Sequence, residues 1–234
     1  MIAKRIQTAV LCMAFLLMGV MAFKADAATT QADHEKHIDR AVKLIQKVEK
    51  QRDARAIAHA IRNGKGVVIY PGVYEVAVGV GGMGGDGIVL LKGDDGRWHG
   101  PSFTKIAGAS LGLQAGVKEV GLILVINDAD ALSRFTGNRS FKLGADIGAT
   151  VGPVGSELDT AKTTKPGAPV YTYTVSSEGL FLGAAINDAM VEADSNLNKA
   201  YWGKTVNTND ALATRATDAR ITALTNELNK LQNM

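Results

Sequence analysis

Cysteine, proline and aromatic residues are all scarce in this chain of 234 residues, and each scarcity excludes something. The one cysteine, Cys12, lies in an apolar N-terminal run, so the remainder can form no disulfide and offers no thiol chemistry. Val10 and Leu11 precede it where lipid attachment needs a small residue, so a lipoprotein reading is set aside. Five prolines, and glycines without a regular period, exclude proline-rich disorder and a collagen-like chain. Charge of neither sign dominates: 26 Lys and Arg face 23 Asp and Glu, a net of +3. The four histidines (34, 37, 59 and 99) all precede Ser110, so no imidazole follows the one segment that resembles a nucleophile motif.

The N-terminus reads as a secretory leader over 1–27. Lys4 and Arg5 form a basic n-region, Ala9 to Met21 is apolar, and Ala25-Asp26-Ala27 is a small-residue cleavage site, with Ala28 the other candidate end. The run is too short for a permanent span. Its removal takes Lys4, Arg5, Lys24 and Asp26, so the net charge falls by two, from +3 to +1. A chain so nearly neutral gives no electrostatic case for nucleic acid. The 207 residues that remain of the 234 suit one domain with a sizeable core. The expected location is outside the cytoplasm, periplasmic or secreted, with peripheral membrane association.

Residues 33–62 have no proline or glycine and read as helix up to Gly64, with a bend near 51–54 where the apolar register shifts. Ile38, Ala41, Val42, Leu44, Ile45 and Val48 share one face. Lys36, Arg40, Lys43, Lys47 and Lys50 recur at spacings of four and three and form a basic stripe opposite. From Gly66 onward β-branched runs separated by turn residues predict strands at 66–70, 74–80, 88–91, 102–115, 119–126, 140–151, 170–175 and 180–186. Sixteen of the 26 glycines lie between 64 and 121, which predicts bulges, curvature or close packing on the sheet. Short helices are expected from Asn127 or Asp128 to Phe135 and within 188–202, and a longer one over 209–232. In the last, Ile221, Leu224, Leu228 and Leu231 form a stripe able to seal the domain or to pair with a partner.

Several segments resemble sites. Gly79 to Gly84 fits G-x-G-x-x-G, but a strand-like run, Ile88 to Leu91, follows where a dinucleotide site needs a helix, so it reads as a glycine-rich hairpin or bulge. Gly108-Ala109-Ser110-Leu111-Gly112 fits the nucleophile elbow, yet its continuation alternates like a strand. His34 and His37 have ligand spacing on a helix, lack a third ligand nearby, and read as solvent-exposed. Asp94-Asp95-Gly96 reads as a turn, because Arg97 and Trp98 stand where a calcium loop needs oxygen donors. Asp146 and Asp188 sit in apolar surroundings and read as structural hydrogen-bonding groups. No catalytic residue, metal site or cofactor is assigned. The basic stripe has two compatible readings: the solvated outer face of a packed helix, or a row of cations on an anionic membrane surface.

An ordered series of motifs resembles the SYLF-domain family. It runs through Gly64-Lys65-Gly66-Val67-Val68-Ile69-Tyr70-Pro71, the Gly79–Gly87 loop, and Asp95-Gly96-Arg97-Trp98-His99-Gly100-Pro101-Ser102-Phe103. It continues through Gly108 to Gly116, Asn127 to Leu132, Leu143 to Asp146, Gly152 to Gly155, Tyr171-Thr172-Tyr173 with Gly179-Leu180-Phe181, and Tyr201-Trp202-Gly203. The resemblance implies an α+β fold, a curved antiparallel β core (sandwich or barrel-like) flanked by an N-terminal and a C-terminal helix. The expected organisation is a signal peptide over 1–27, a SYLF-like domain over 28–203 and an amphipathic C-terminal helix over 204–234. The resemblance also implies a non-enzymatic lipid-binding module, whose eukaryotic members bind phosphoinositides and, in yeast, actin. A basic amphipathic helix before the glycine-rich core contributes to membrane binding in animal members. By place and helix character, Lys36, Arg40, Lys43 and Lys47 would contact anionic phospholipid headgroups here, and Lys50 extends the same stripe. Export makes cytoplasmic actin an unsuitable partner. The alternative is a structural or protein-interaction domain of the cell envelope that uses 209–232 for self-association or for another protein.

Overall fold

The computed structural model describes residues 31–78, 80–110, 116–153, 167–176, 179–181 and 189–234. The predicted first helix is two: α1 (Gln31–Glu49) and α2 (Ala54–Asn63), broken at 50–53 where the apolar register shifts. Four long strands follow, β1 (Gly66–Val78), β2 (Val80–Lys92), β3 (Trp98–Ser110) and β4 (Gly116–Ile126). Then come α3 (Ala129–Thr136), β5 (Phe141–Leu143), β6 (Ala149–Val151), β7 (Val170–Ser176), β8 (Gly179–Phe181) and β9 (Ala189–Ala193). The chain closes with α4 (Ser195–Trp202), α5 (Thr208–Ala213) and α6 (Ala219–Gln232). The fold is α+β, with helices at both ends of a curved, nearly closed sheet. Its order is β5-β9-β3-β2-β1-β4-β7-β6, with β8 beside β7, and every pairing is antiparallel except β6 with β7.

Side chains alternate across this sheet, as the period of two requires. Val67, Ile69, Ile88, Leu90, Phe103, Ile123 and Val125 face a core closed by α1, α2, α4 and α6. Val68, Tyr70, Val89, Ile106, Leu122 and Leu124 face a second core closed by α3, α5, β5 and β9. Pro71-Gly72 does not end β1 as the sequence suggested. It forms a bulge, two residues of β1 (Pro71 and Gly72) facing one of β4 (Gly121), and pairing resumes beyond it. Two glycines mark close approaches. A Cβ at Gly87 would lie 2.5 Å from the buried Tyr70 ring, and one at Gly121 would lie 2.4 Å from Leu44 of α1.

Caps explain where the sequence reading erred. The expected 209–232 helix is broken, because Asn207 accepts from Asp210 N (2.8 Å) to start α5 and Asp218 accepts from Arg220 N and Ile221 N to start α6. The short helix expected within 188–202 is α4, capped by Asp194, and 189–193 before it extends the sheet as β9. The run 140–151 yields two short strands around a turn in which Gly144 has φ +94° and Asp146 takes the Lys142 N–H. The α3 helix is as expected, with Asp128 capping Ala131 N at 2.7 Å. Gln31–Met234 is one compact unit, and the four apolar residues of α6 lie in the same core as α1. The predicted leader, the Ser156–Pro166 part of the polar loop, and most of the 180–186 strand lie outside the described residues.

Candidate functional site

Helix α1 has four distinct sides, set by its 3.6-residue period. Ile38, Ala41, Ile45 and Val48 are fully buried against the sheet and α6. A second side faces α6 and carries Glu35, Asp39 and Glu49. Asp39 and Glu35 accept from Arg220 (2.6–2.9 Å), Glu49 pairs with Lys230, and Gln46 donates to Glu227 (2.7 Å). The hydrogen bond to Asp39 raises the Arg220 pKa, that to Glu49 raises Lys230, and that from Gln46 lowers Glu227. The charged forms on this seam are therefore mutually stabilised.

The third side meets the sheet just past the bulge of β1. Arg40 pairs with Glu119 of β4, and His37 Nε2 lies 3.7 Å from Asp86 of β2. The fourth side is the solvent face, with Lys36, Lys43 and Lys50 exposed and Lys47 half-buried. None of these four lysines has an ion pair among the described residues. The structure thus sorts the charges of α1. Glu35, Asp39 and Glu49 pair with α6, Arg40 pairs with the sheet, and the four lysines have no ion pair among the described residues.

The other candidates separate as follows. His34 and His37 are not solvent-exposed as expected. His34 is 4% exposed and stacks edge-on against Tyr201 at 5.3 Å, and both rings have lowered pKa values because burial outweighs their acidic neighbours. The stripe geometry places both one step from the core side of α1, which a search for isolated ligands overlooks. No cluster of three or more metal-binding side chains occurs among the described residues. Most of the Gly79–Gly84 segment is β2, paired with β1 on one side and β3 on the other, so no helix follows to hold a pyrophosphate. Ser110 is the last residue of β3, opposite Gly81, and Leu111 and Gly112 lie outside the described residues. Asp95 caps a turn by accepting from Arg97 N (2.9 Å), which lowers its pKa, with Gly96 at φ +74°. Asp146 is exposed, and Asp188 lies outside the described residues.

Two features were not anticipated. An open groove of about 570 Å³ is lined by His34, Tyr201, Trp202, Arg215 and Arg220. Its polar groups are largely satisfied internally, since Tyr201 donates to Asp218 and Arg220 holds Glu35 and Asp39. The second is the sheet beyond α1, where Tyr74 and Val76 are exposed. The alternation Val73-Tyr74-Glu75-Val76 signals a strand, but only the bulge shows which face each residue takes.

A curved, glycine-rich sheet flanked by helices, with a row of lysines on the solvent face of α1, defines the class: an α+β domain. Residues 107–231 match the family model described as "Ysc84: Las17-binding protein actin regulator", so the chain belongs to the Ysc84 (SYLF-domain) family. It is similar to "SH3 domain-containing YSC84-like protein 1" of Bos taurus and of Homo sapiens, with 30% identity over 155 residues, 66% of this chain and 45% of each relative. It is also similar to "LAS seventeen-binding protein 3" of Saccharomyces cerevisiae, with 27% identity over 124 residues, 52% of this chain and 27% of the relative. The chain spans less than half the length of these relatives. Their names are those of binding and regulatory proteins.

Proposed function

We propose that this protein is an exported, non-enzymatic membrane-binding domain that docks on anionic phospholipid headgroups through Lys36, Lys43 and Lys47 of α1 and Lys50 just beyond it, with Arg40 in the same stripe. The observation that carries this is the charge sorting on α1. Cations held against solvent with no ion pair among the described residues are suited to an external anionic surface, where each adds on the order of 1 kcal/mol. The apolar side of α1 is already buried, so the helix binds as a fixed edge of a folded domain and does not peel off to lie in the interface. No described helix is long and apolar enough to cross a membrane. The family description names actin regulation. The leader over 1–27 would take this chain away from cytoplasmic actin, so lipid is the ligand we carry over.

The reading in which 209–232 recruits a partner is disfavoured by burial. Ile221, Leu224, Leu228 and Leu231 are all at most 2% exposed within the monomer. The test is co-sedimentation of residues 28–234 with vesicles of phosphatidylcholine alone or mixed equally with phosphatidylserine, at low salt. Binding to the mixed vesicles alone is expected. Equal indifference to both removes the headgroup proposal.

A further inference from the structure

Among the described residues four large hydrophobic side chains are exposed: Tyr74, Val76, Met190 and Met234. The sheet register places three of them on one face. Tyr74 pairs with Gly84, Gly84 with Ala107, and Ala107 with Met190, which makes one row across four strands. Val76, Gly82 and Ala109 make the next row outward. Val73, Met83, Ile106 and Val191 belong to the second core, so by alternation these two rows point the other way, to the side of α1. Across these strands neither row contains a charged residue; the first row ends at Glu119 of β4, which Arg40 holds, and at Lys142 of β5, which pairs with Met190.

The glycines in these rows are not required by the fold. A Cβ at Gly84 would meet nothing nearer than 3.5 Å, and one at Gly82 nothing nearer than 3.8 Å. Gly85 and Gly87, on the reverse face of the same strand, would collide at 2.5 Å. Packing accounts for one set and leaves the other unexplained. What Gly82 and Gly84 do produce is a smooth apolar shelf from which Tyr74 and Val76 stand out.

The shelf borders the basic stripe. The row immediately inward contains Gly72 paired with Asp86 and Asp86 paired with Lys105, and it is here that Arg40 and His37 of α1 reach the sheet. The lysine row is one helical step from Arg40. An occupant must therefore be apolar over the shelf and anionic along the edge that meets α1. A second copy stacked shelf to shelf covers the apolar rows but brings nothing anionic to the lysine row, since the acid that borders the shelf, Glu119, is already held by Arg40. An anionic bilayer presents both chemistries in the required order, and a tyrosine ring at its boundary is favourable.

We propose that the Tyr74–Val76 shelf is the penetrating half of the membrane surface: it enters the interfacial layer of an anionic bilayer while the α1 lysines hold the headgroups. This rests on the headgroup reading and extends it.

The test uses residues 28–234, which contain the whole compact unit and no cysteine. Ala109→Cys places an environment-sensitive fluorophore on the shelf, and Asn226→Cys on the exposed side of α6 is the control. With phosphatidylserine-containing vesicles the Ala109 label is expected to shift to the blue and be quenched by nitroxide-bearing lipid, and the Asn226 label to stay unchanged. Gly84→Asp, which the backbone accommodates, is expected to weaken vesicle binding at least about tenfold while Tm is retained. Should that variant misfold, Val76→Asn at an exposed position serves in its place. A vesicle-bound protein whose Ala109 label remains in water, with Gly84→Asp binding normally, overturns penetration and leaves the headgroup reading intact. No binding to any vesicle overturns both. A dimer in light scattering that Gly84→Asp dissolves assigns the shelf to self-association and overturns the proposal.

Discussion

Replacing Lys36, Lys43 and Lys47 together with Gln isolates the electrostatic half of the surface. Arg40 is left in place, because its removal would strand Glu119 and confuse binding with folding. The three lysines have no ion pair among the described residues, so the substitution should change stability by no more than about 0.5 kcal/mol per site. Each cation near an anionic leaflet is worth about 1 kcal/mol, so the triple variant should lose about 3 kcal/mol, or roughly a hundredfold in partition coefficient. A control removes charge elsewhere. Arg134 of α3 and Arg139 just beyond it are exposed, and α3 packs on the opposite face of the sheet. Their replacement with Gln should alter partition by less than about threefold, since charges more than a Debye length of roughly 8 Å from the surface are screened. Vesicle titration at physiological salt reads both. Equal losses in the two variants would mean that only net charge matters, and an unaffected lysine variant would mean that another surface binds; either refutes the reasoning.

Three further outcomes follow from the packing. Asn198, 2% exposed, accepts from Phe103 N at 2.8 Å and donates to Phe103 O at 3.1 Å, continuing the β3 edge where β9 stops; Asn198→Leu should cost about 2 kcal/mol and lower Tm by about 4–8 °C in thermal denaturation. Deleting 219–234 removes four buried side chains worth about 1.5–3 kcal/mol each, comparable with the whole stability of a domain, so circular dichroism should show loss of the cooperative transition. Burial lowers the folded-state pKa of His34 and His37 below 6.5, so the unfolded chain takes up protons first as pH falls. Their contribution to stability is complete above about pH 6.5 and declines below it toward the folded-state values; Tm should fall between about pH 7.5 and 5.5, and His34→Phe should reduce that fall.

Elements with an unambiguous period were readable from residues alone. The Lys36–Lys50 stripe, the α3 cap at Asp128 and the β7 strand all appear where the spacing puts them. What failed was competition between local signals. Pro71-Gly72 looks like a strand end, but an extra residue absorbed as a bulge keeps β1 paired with both neighbours. Asp218 looks like one more polar residue in a helix, but as a cap it starts a new one. The apolar stripe of α6 fitted sealing and pairing equally well, because burial depends on what lies opposite. For the site, the sequence supplied the lysines but not their isolation. That isolation depends on Arg220 and Lys230, about 180 positions away in the chain, taking up Glu35, Asp39 and Glu49. The shelf was unreadable for the same reason: which face Tyr74 takes depends on one bulge.

The most direct measurement is lysine footprinting of residues 28–234, free and bound to phosphatidylserine-containing vesicles, by acetylation and mass spectrometry. Lys36, Lys43, Lys47 and Lys50 should lose reactivity on binding, while Lys199, on α4, keeps its own. Bound protein in which the four stripe lysines react as freely as in solution would contradict docking through α1.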